Sequence, residues 1–299
     1  MAKIKNSKKK GLFLSIETIG VIIIITAIAA VVVAGIAHLF KMYKVYQVSR
    51  DVAQYSEAVS QFKMTYGYLP GDLPLSKLNG PLANTFLMTD MGTCNGGLSL
   101  GYINRSAGIT IAFRELYISK LISSAINTTA SVPGITSGCS STYSLTALVT
   151  DLYAPVASWD SNLAWVLSSE VPAVTYDGVI GTTVLAPYWG FNRPRLTLVR
   201  HSGSTGTGPV PSIGSQLLGA LSPTIAYYVD IKLDDGIPSD VGSNVIGQGV
   251  SGALSKCTSI ASTITTIANT TLVNTLKYQS SSDDSGSNGC IMTFGINAE

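Results

Sequence analysis

Acid–base catalysis at neutral pH most often draws on histidine, and this chain of 299 residues has two, His38 and His201. His38 lies inside a long apolar stretch, so a histidine-based triad or a zinc cluster would rest on His201 alone. There is no Gly-x-Ser-x-Gly elbow and no Gly-x-x-x-x-Gly-Lys-Ser/Thr loop. Residues 247–252, Gly-Gln-Gly-Val-Ser-Gly, match Gly-x-Gly-x-x-Gly in form, but no acid between Val241 and Ser282 is placed to hold a ribose. With 29 glycines in the chain, chance accounts for the match. The residue types argue against an enzyme.

Carboxylates gather in two places. Asp230, Asp234, Asp235 and Asp240 carry oxygens of the kind calcium accepts, as do Asp283 and Asp284 near Cys290. Neither group has the Asp-x-Asp-x-Asp-Gly spacing and distal Glu of an EF-hand. Both read as solvated turns with no metal assigned, and calcium at the first group is the alternative. Cys94, Cys139, Cys257 and Cys290 are widely spaced with no Cys-x-x-Cys pair, which argues against zinc binding or thiol redox chemistry. In an exported chain four cysteines suggest two disulfides. Of three pairings we favour the sequential one, Cys94–Cys139 and Cys257–Cys290, because each then closes a surface segment. Loop-closure entropy would give each bridge roughly 3–4 kcal/mol.

The elements that must carry these residues begin with the first forty. Met1 to Lys10 holds five lysines, Gly11 follows, and after one acid, Glu17, residues 19–39 form an uncharged run. About 20 apolar residues suffice to cross a bilayer as a helix. The run exceeds a usual signal-peptide core, and no Ala-x-Ala-type site follows it. Helical periodicity then continues without a break through Met42, Val45, Val48, Val52, Tyr55, Val59, Phe62 and Tyr66. The other face carries Lys41, Lys44, Gln47, Arg50, Asp51, Gln54, Glu57, Gln61 and Lys63. Gly67 and Pro70 stop the helix. Its first half suits lipid and its second half suits a protein core.

The composition agrees with an exported head. Hydrophobic residues make up 46% of the chain, with a mean hydropathy of +0.34, but the first forty residues supply much of this. The rest is rich in Ser, Thr, Gly and Asn. The formal net charge of +2 includes the five leader lysines; without them 14 Lys+Arg face 17 Asp+Glu, about −3. No basic face survives to neutralise phosphates, so no specific nucleic-acid binding is inferred.

Residues 8–17, Lys-Lys-Lys-Gly-Leu-Phe-Leu-Ser-Ile-Glu, with the Ile/Val/Ala run after them, resemble the class III leader of type IV prepilins and type II secretion pseudopilins. The likeness extends to residues 66–72, Tyr-Gly-Tyr-Leu-Pro-Gly-Asp, similar to the segment ending the long helix in many pilin-like proteins. Residues 221–238, with Leu-Ser-Pro, Ala226-Tyr227 and Asp-Ile-Lys-Leu-Asp-Asp-Gly-Ile-Pro, resemble a recurring head-domain segment of the same proteins. Together these cover about a third of the chain.

The resemblance implies that a prepilin peptidase cuts after Gly11 and methylates the new amine. Glu17 would then pair with the free amine of a neighbouring subunit and set the filament's axial register. The family usually places this acid fifth after the cut. Cutting before Leu12 makes Glu17 sixth, whereas cutting before Phe13 restores the spacing; we favour Leu12 because the peptidase reads the glycine. There is no proline before Pro70, so the membrane segment lacks the helix-kinking proline common in major pilins. Gly35, near that position, either loosens the helix or permits close packing.

Residues 110–126 read as an amphipathic helix that exposes Arg114, Glu115 and Lys120 and packs near the base of the long helix. Residues 145–152, 163–167, 182–186, 196–199 and 291–294 read as strands. The expected fold class is therefore α+β and pilin-like: a long N-terminal helix, membrane-spanning in its first half, packed against a C-terminal antiparallel sheet. The expected organisation is a cleaved leader over residues 1–11, the helix over 12–66 and an extracytoplasmic head over 67–299.

By resemblance the chain is a structural subunit of an adhesion, motility or DNA-uptake filament, a helical homo-oligomer served by the peptidase and by an inner-membrane assembly platform and motor. It would reside in the bacterial inner membrane before assembly, then on the cell surface. The alternatives are a periplasmic pseudopilin of a type II secretion system, and a single-pass envelope protein with a ligand-binding or catalytic head.

Overall fold

The structure is a computed structural model that describes residues 16–83, 103, 108–124, 126, 154–169, 193–200, 219–238, 244–248, 257, 277–279 and 289–297. The expected strands at 145–152 and 182–186, together with His201, Cys94, Cys139, Asp240, Asp283 and Asp284, lie outside the described residues. The chain divides into two compact units, Met1–Tyr43 and Lys44–Glu299.

In the first unit the described residues belong to one helix, α1 (Ile16–Tyr66), which is 51 residues long and extends from this unit into the second. An 18-residue window of mean hydropathy 3.0 has none of its residues buried, and the helix is long and apolar enough to cross a membrane. Ile22, Ile25, Val32 and Leu39 are all exposed. Exposed to water, such a surface is unfavourable by about 25 cal/mol per Å² of apolar area.

In the second unit the expected stripe of α1 is the buried one. Val45, Val48, Tyr55, Val59 and Phe62 are buried, and Met42, Val52 and Tyr66 are half-buried. Gly67 ends the helix at φ +79°, where its N–H reaches the Lys63 carbonyl at 2.8 Å. That left-handed conformation is costly for residues with a Cβ, so glycine is the natural stop.

Among the described residues the sheet has five strands, β1 (Val156–Ala157), β2 (Asp160–Ser168), β3 (Arg195–Arg200), β4 (Val245–Gln248) and β5 (Ile291–Gly295), in the order β1-β2-β3-β5-β4. Every pairing is antiparallel. β2, β3 and β5 contain the sequence-predicted strands. Their burial is nearly continuous rather than alternating, so both faces of the sheet's centre are covered. Trp165 pairs with Leu198 and Leu196 with Phe294, which places these four side chains on one face. Trp165 meets Tyr55 of α1 at a ring separation of 6.0 Å and Phe294 at 5.9 Å. An α+β head with an antiparallel sheet is thus present, and the C-terminal half of α1 forms part of its core.

Two helices complete the described head. α2 (Gly108–Ile118) is shorter than the expected 110–126. Lys120 takes φ +61°, its N–H bonding the Tyr117 carbonyl and the Leu121 N–H bonding the Leu116 carbonyl, each at 2.9 Å. This double closure satisfies carbonyls that a continuing helix would otherwise use, so the helix stops there. α2 does pack on the long helix, with the Phe113 ring 5.3 Å from that of Tyr55. α3 (Pro223–Leu233) has no counterpart among the expected helices, although Pro223 at its first turn and buried Ile225, Ala226 and Val229 are ordinary helix signals.

Candidate functional site

Glu17 lies in the first turn of α1 and is exposed. α1 runs unbroken through Gly35, and a Cβ added at Gly35 would meet nothing within 4 Å in this chain. Gly11, Leu12 and Phe13 lie outside the described residues.

The head contains several charged groups that the sequence places on the surface and the structure places inside. Arg114 and Glu115 are 1% and 0% exposed. The turn after α1, residues 69–73, is itself buried and lies over α2, so the expected outer face of α2 becomes an inner one. Gln47 and Asp51, expected on the polar face of α1, are buried for a similar reason. The β1–β2 hairpin and β2 reach α1, where Asp51 Oδ2 accepts the Trp165 indole N–H at 3.3 Å and Gln47 Oε1 accepts the Ser158 hydroxyl at 3.4 Å. Burial raises the Asp51 pKa, opposed by hydrogen bonds from Arg50 and Trp165.

Glu115 holds the turn through a single bond: Oε2 accepts the Gly71 N–H at 2.6 Å, while Oε1 has no hydrogen-bond partner. Burial first, and the Asp72 carboxylate after it, push the Glu115 pKa up to about 8 against the pull of the Gly71 N–H. The folded head therefore keeps a proton that the unfolded chain, with an ordinary value of 4.5, releases. Stability is level below that lower value and falls as pH rises towards 8, by at most about 1.4 kcal/mol per pH unit. Glu115→Gln retains an acceptor for Gly71 and has no proton to lose. Urea unfolding of the full chain at pH 5, 6.5 and 8 should show the variant losing less stability than the wild type. Parallel slopes would contradict this assignment.

At the C-terminal end of α3 the structure brings Asp230, Asp234 and Asp235 together, with one carboxylate oxygen from each within 4.8 Å of the others. The expectation of a solvated turn holds for Asp234 and Asp235, which reach solvent, but not for Asp230, which is fully buried. Its Oδ2 accepts the Tyr278 hydroxyl at 2.8 Å, and its Oδ1 has no hydrogen-bond partner. Burial pushes the Asp230 pKa up to about 7, with Asp235 and Asp234 adding to the rise and hydrogen bonds from the Tyr278 hydroxyl and the Gly236 N–H opposing it. Asp234 Oδ2 accepts the N–H groups of Asn244 and Val245 at 2.7 and 3.2 Å, fixing the start of β4. Asp235 Oδ1 accepts the Ile237 N–H at 2.8 Å and is exposed on the turn.

Cys257 and Cys290 form the expected disulfide, with 4.9 Å between Cα atoms. Cys290 also bridges Leu221, just before α3, and the Cys257 carbonyl accepts the Gln279 N–H next to Tyr278. The disulfide thereby ties the segment carrying Tyr278 to β5 and to the approach to α3. Tyr278 has no signal in the sequence, because it meets Asp230 from 48 positions away. Comparison with known protein families, with curated proteins and with solved structures finds no match for this chain.

Proposed function

We propose that the chain is a structural subunit of a type IV pilus-like filament, made as a membrane precursor, cut after Gly11 by a prepilin peptidase and assembled through α1. The observation that carries this reading is the division of labour along one 51-residue helix. From Lys44 onward its apolar stripe is built into an α+β head, while its preceding turns are apolar all round and unburied. A helix that served only as a membrane anchor would not need its continuation inside the head. A helix that transfers from lipid to a bundle of like helices needs apolar residues on every side, and this sequence supplies them.

In this reading the subunit makes and breaks no bonds and is itself the substrate of the peptidase. Lys8 to Lys10 keep the leader on the cytoplasmic side, following the preference of positive charge for that face. Gly11 presents an unhindered backbone to the peptidase, and Glu17 pairs with a neighbour's amine. Gly35 gives the membrane half a point of close approach between helices. The surface filament is preferred over a secretion pseudopilus on the long, Ser/Thr-rich head.

Intact-mass and N-terminal analysis of the mature protein tests the proposal. A chain beginning at Leu12 or Phe13 with a methylated amine is expected. A retained leader in the membrane fraction would instead favour a single-pass envelope protein.

A further inference from the structure

We propose that Tyr46, Tyr227, Ile231 and Lys232 form a surface of the head that rests on phospholipid headgroups before assembly, a contact that presupposes the membrane-precursor reading above. The fitting lipid carries both a phosphate and a primary ammonium, as phosphatidylethanolamine does. All four residues belong to the second unit. The uncharged run of α1 ends at Leu39, and Lys41 and Lys44 follow it. Lysines mark where a spanning helix leaves the hydrocarbon, because the long stem lets the ammonium keep its water at the headgroups. The headgroup layer is about 5–7 Å deep on each side of a bilayer. Tyr46 follows Leu39 by about 10 Å of helix, and helical side chains lean back towards the N-terminus. Its side chain, 56% exposed, therefore reaches the outer part of that layer, where tyrosine is enriched for its apolar ring and polar tip.

α3 supplies the rest of the surface. Lys232 is exposed and places its ammonium 5.1 Å from the Tyr46 ring centroid, which sets the C-terminal end of α3 at the level of Tyr46. Ile231 and Tyr227 stand one turn apart on α3 and are 47% and 40% exposed. Both close on Gly236, where an added Cβ would come within 3.2 Å of the Tyr227 ring and nearer still to Ile231, so the two form one apolar patch beside the lysine. The charges match a zwitterionic surface. Lys232 offers an ammonium to the phosphate, and Asp235, exposed next to Gly236, offers a carboxylate to the headgroup ammonium. A strongly anionic surface fits less well, because it would repel Asp235.

The test uses the full chain reconstituted in vesicles of phosphatidylethanolamine and phosphatidylcholine, with a nitroxide on part of the phosphatidylcholine headgroups. Among the described residues no cysteine is free, so Ile231→Cys supplies a thiol for a fluorescent label, and the parent chain is the labelling blank. Met64→Cys is the reference position, 72% exposed in the last turn of α1 and about 27 Å of helix beyond Tyr46. Quenching by the lipid nitroxide is expected to be severalfold stronger at position 231 than at position 64. Lys232→Glu in the Ile231→Cys chain should remove about half of that quenching or more, since one lysine at a phosphate surface changes its occupancy severalfold. Equal quenching at the two positions in chain that floats with the vesicles would overturn this surface alone. Exclusion of iodide from position 231 in that case would assign the patch to a second copy of the chain. Undiminished quenching in the Lys232→Glu variant would overturn the surface as well, because the contact would not depend on the charge that selects the lipid. Failure of the chain to float with the vesicles would overturn the membrane-precursor reading and this contact with it.

Discussion

Replacing Trp165 with alanine is expected to destabilise the head by about 3–5 kcal/mol, the usual cost of removing a large aromatic from a core. Among the described residues Trp165 is the largest fully buried side chain, and it stands where three parts of the head meet. Its ring contacts Tyr55 of α1, Phe294 of β5 and Trp159 of the β1–β2 hairpin at centroid separations of 6.0, 5.9 and 6.4 Å. Alanine would leave a cavity that no single neighbour can fill, because those neighbours are fixed by separate elements. It would also remove the indole N–H from Asp51 Oδ2, leaving a buried carboxylate with fewer donors.

Trp165→Phe separates the two contributions. It keeps much of the ring volume and removes the donor, and about 1–3 kcal/mol is expected for it. Trp159→Ala, at a half-buried position, should cost less than Trp165→Ala. Denaturant unfolding of the full chain, followed by near-ultraviolet circular dichroism of its tyrosines, reads all three. A loss under about 1 kcal/mol for Trp165→Ala would mean that Trp165 does not join helix to sheet.

The second large effect concerns assembly. Glu17→Val should leave leader cleavage intact and reduce surface filaments at least tenfold, measured by shearing filaments from cells and quantifying the subunit. An acid next to an apolar run is costly to carry into a membrane, about 2.5–3.5 kcal/mol near its centre, and a partner offsets that cost. In the proposed filament the partner is the neighbour's new N-terminal amine, so valine would make the membrane helix easier to insert but remove the contact that sets register. Glu17→Gln should fall between valine and the wild type, because a hydrogen bond can replace part of the ion pair. Wild-type filament levels from Glu17→Val would remove the register role. The one-residue displacement of this acid makes the mature N-terminus a matching measurement, since starting at Phe13 rather than Leu12 places Glu17 fifth.

What was legible in the sequence was local and periodic. The stripe from Val45 to Phe62 repeats at helical spacing, and the same residues are buried in α1. Gly67 marked the stop, and it adopts the positive φ that a helix end uses. The strands containing residues 163–167, 196–199 and 291–294 followed from short apolar runs between turn residues. The Cys257–Cys290 bridge followed from pairing neighbours along the chain. For the candidate site, the sequence supplied the acids at positions 230, 234 and 235 but not their condition.

Errors arose where distant segments determine what is inside. Arg114 and Glu115 occupy the polar side of an amphipathic helix, and charge alone would direct them to water. Both are buried instead, and the turn at Gly71 and Asp72 meets Glu115 from 44 positions earlier in the chain. Asp51 was assigned to a solvated face because nothing adjacent in sequence announces the Trp165 indole, 114 positions away. α3 went unread although it carries a Ser-Pro start, because its short apolar pattern lies beside a dense run of acids.

The sequence by itself determined the lengths and apolar faces of the elements, since a helix or strand must bury its apolar side and that demand is written every three to four residues or every second residue. It also determined the features proposed to direct processing and assembly, which rest on neighbouring residues: the lysines, Gly11 and Glu17. Only the tertiary structure decided which charges lose their water. Desolvation depends on everything packed within a few ångströms, whatever its distance along the chain. For that reason Glu115, Asp51 and Asp230, ordinary acids in the sequence, are the groups whose protonation the fold controls.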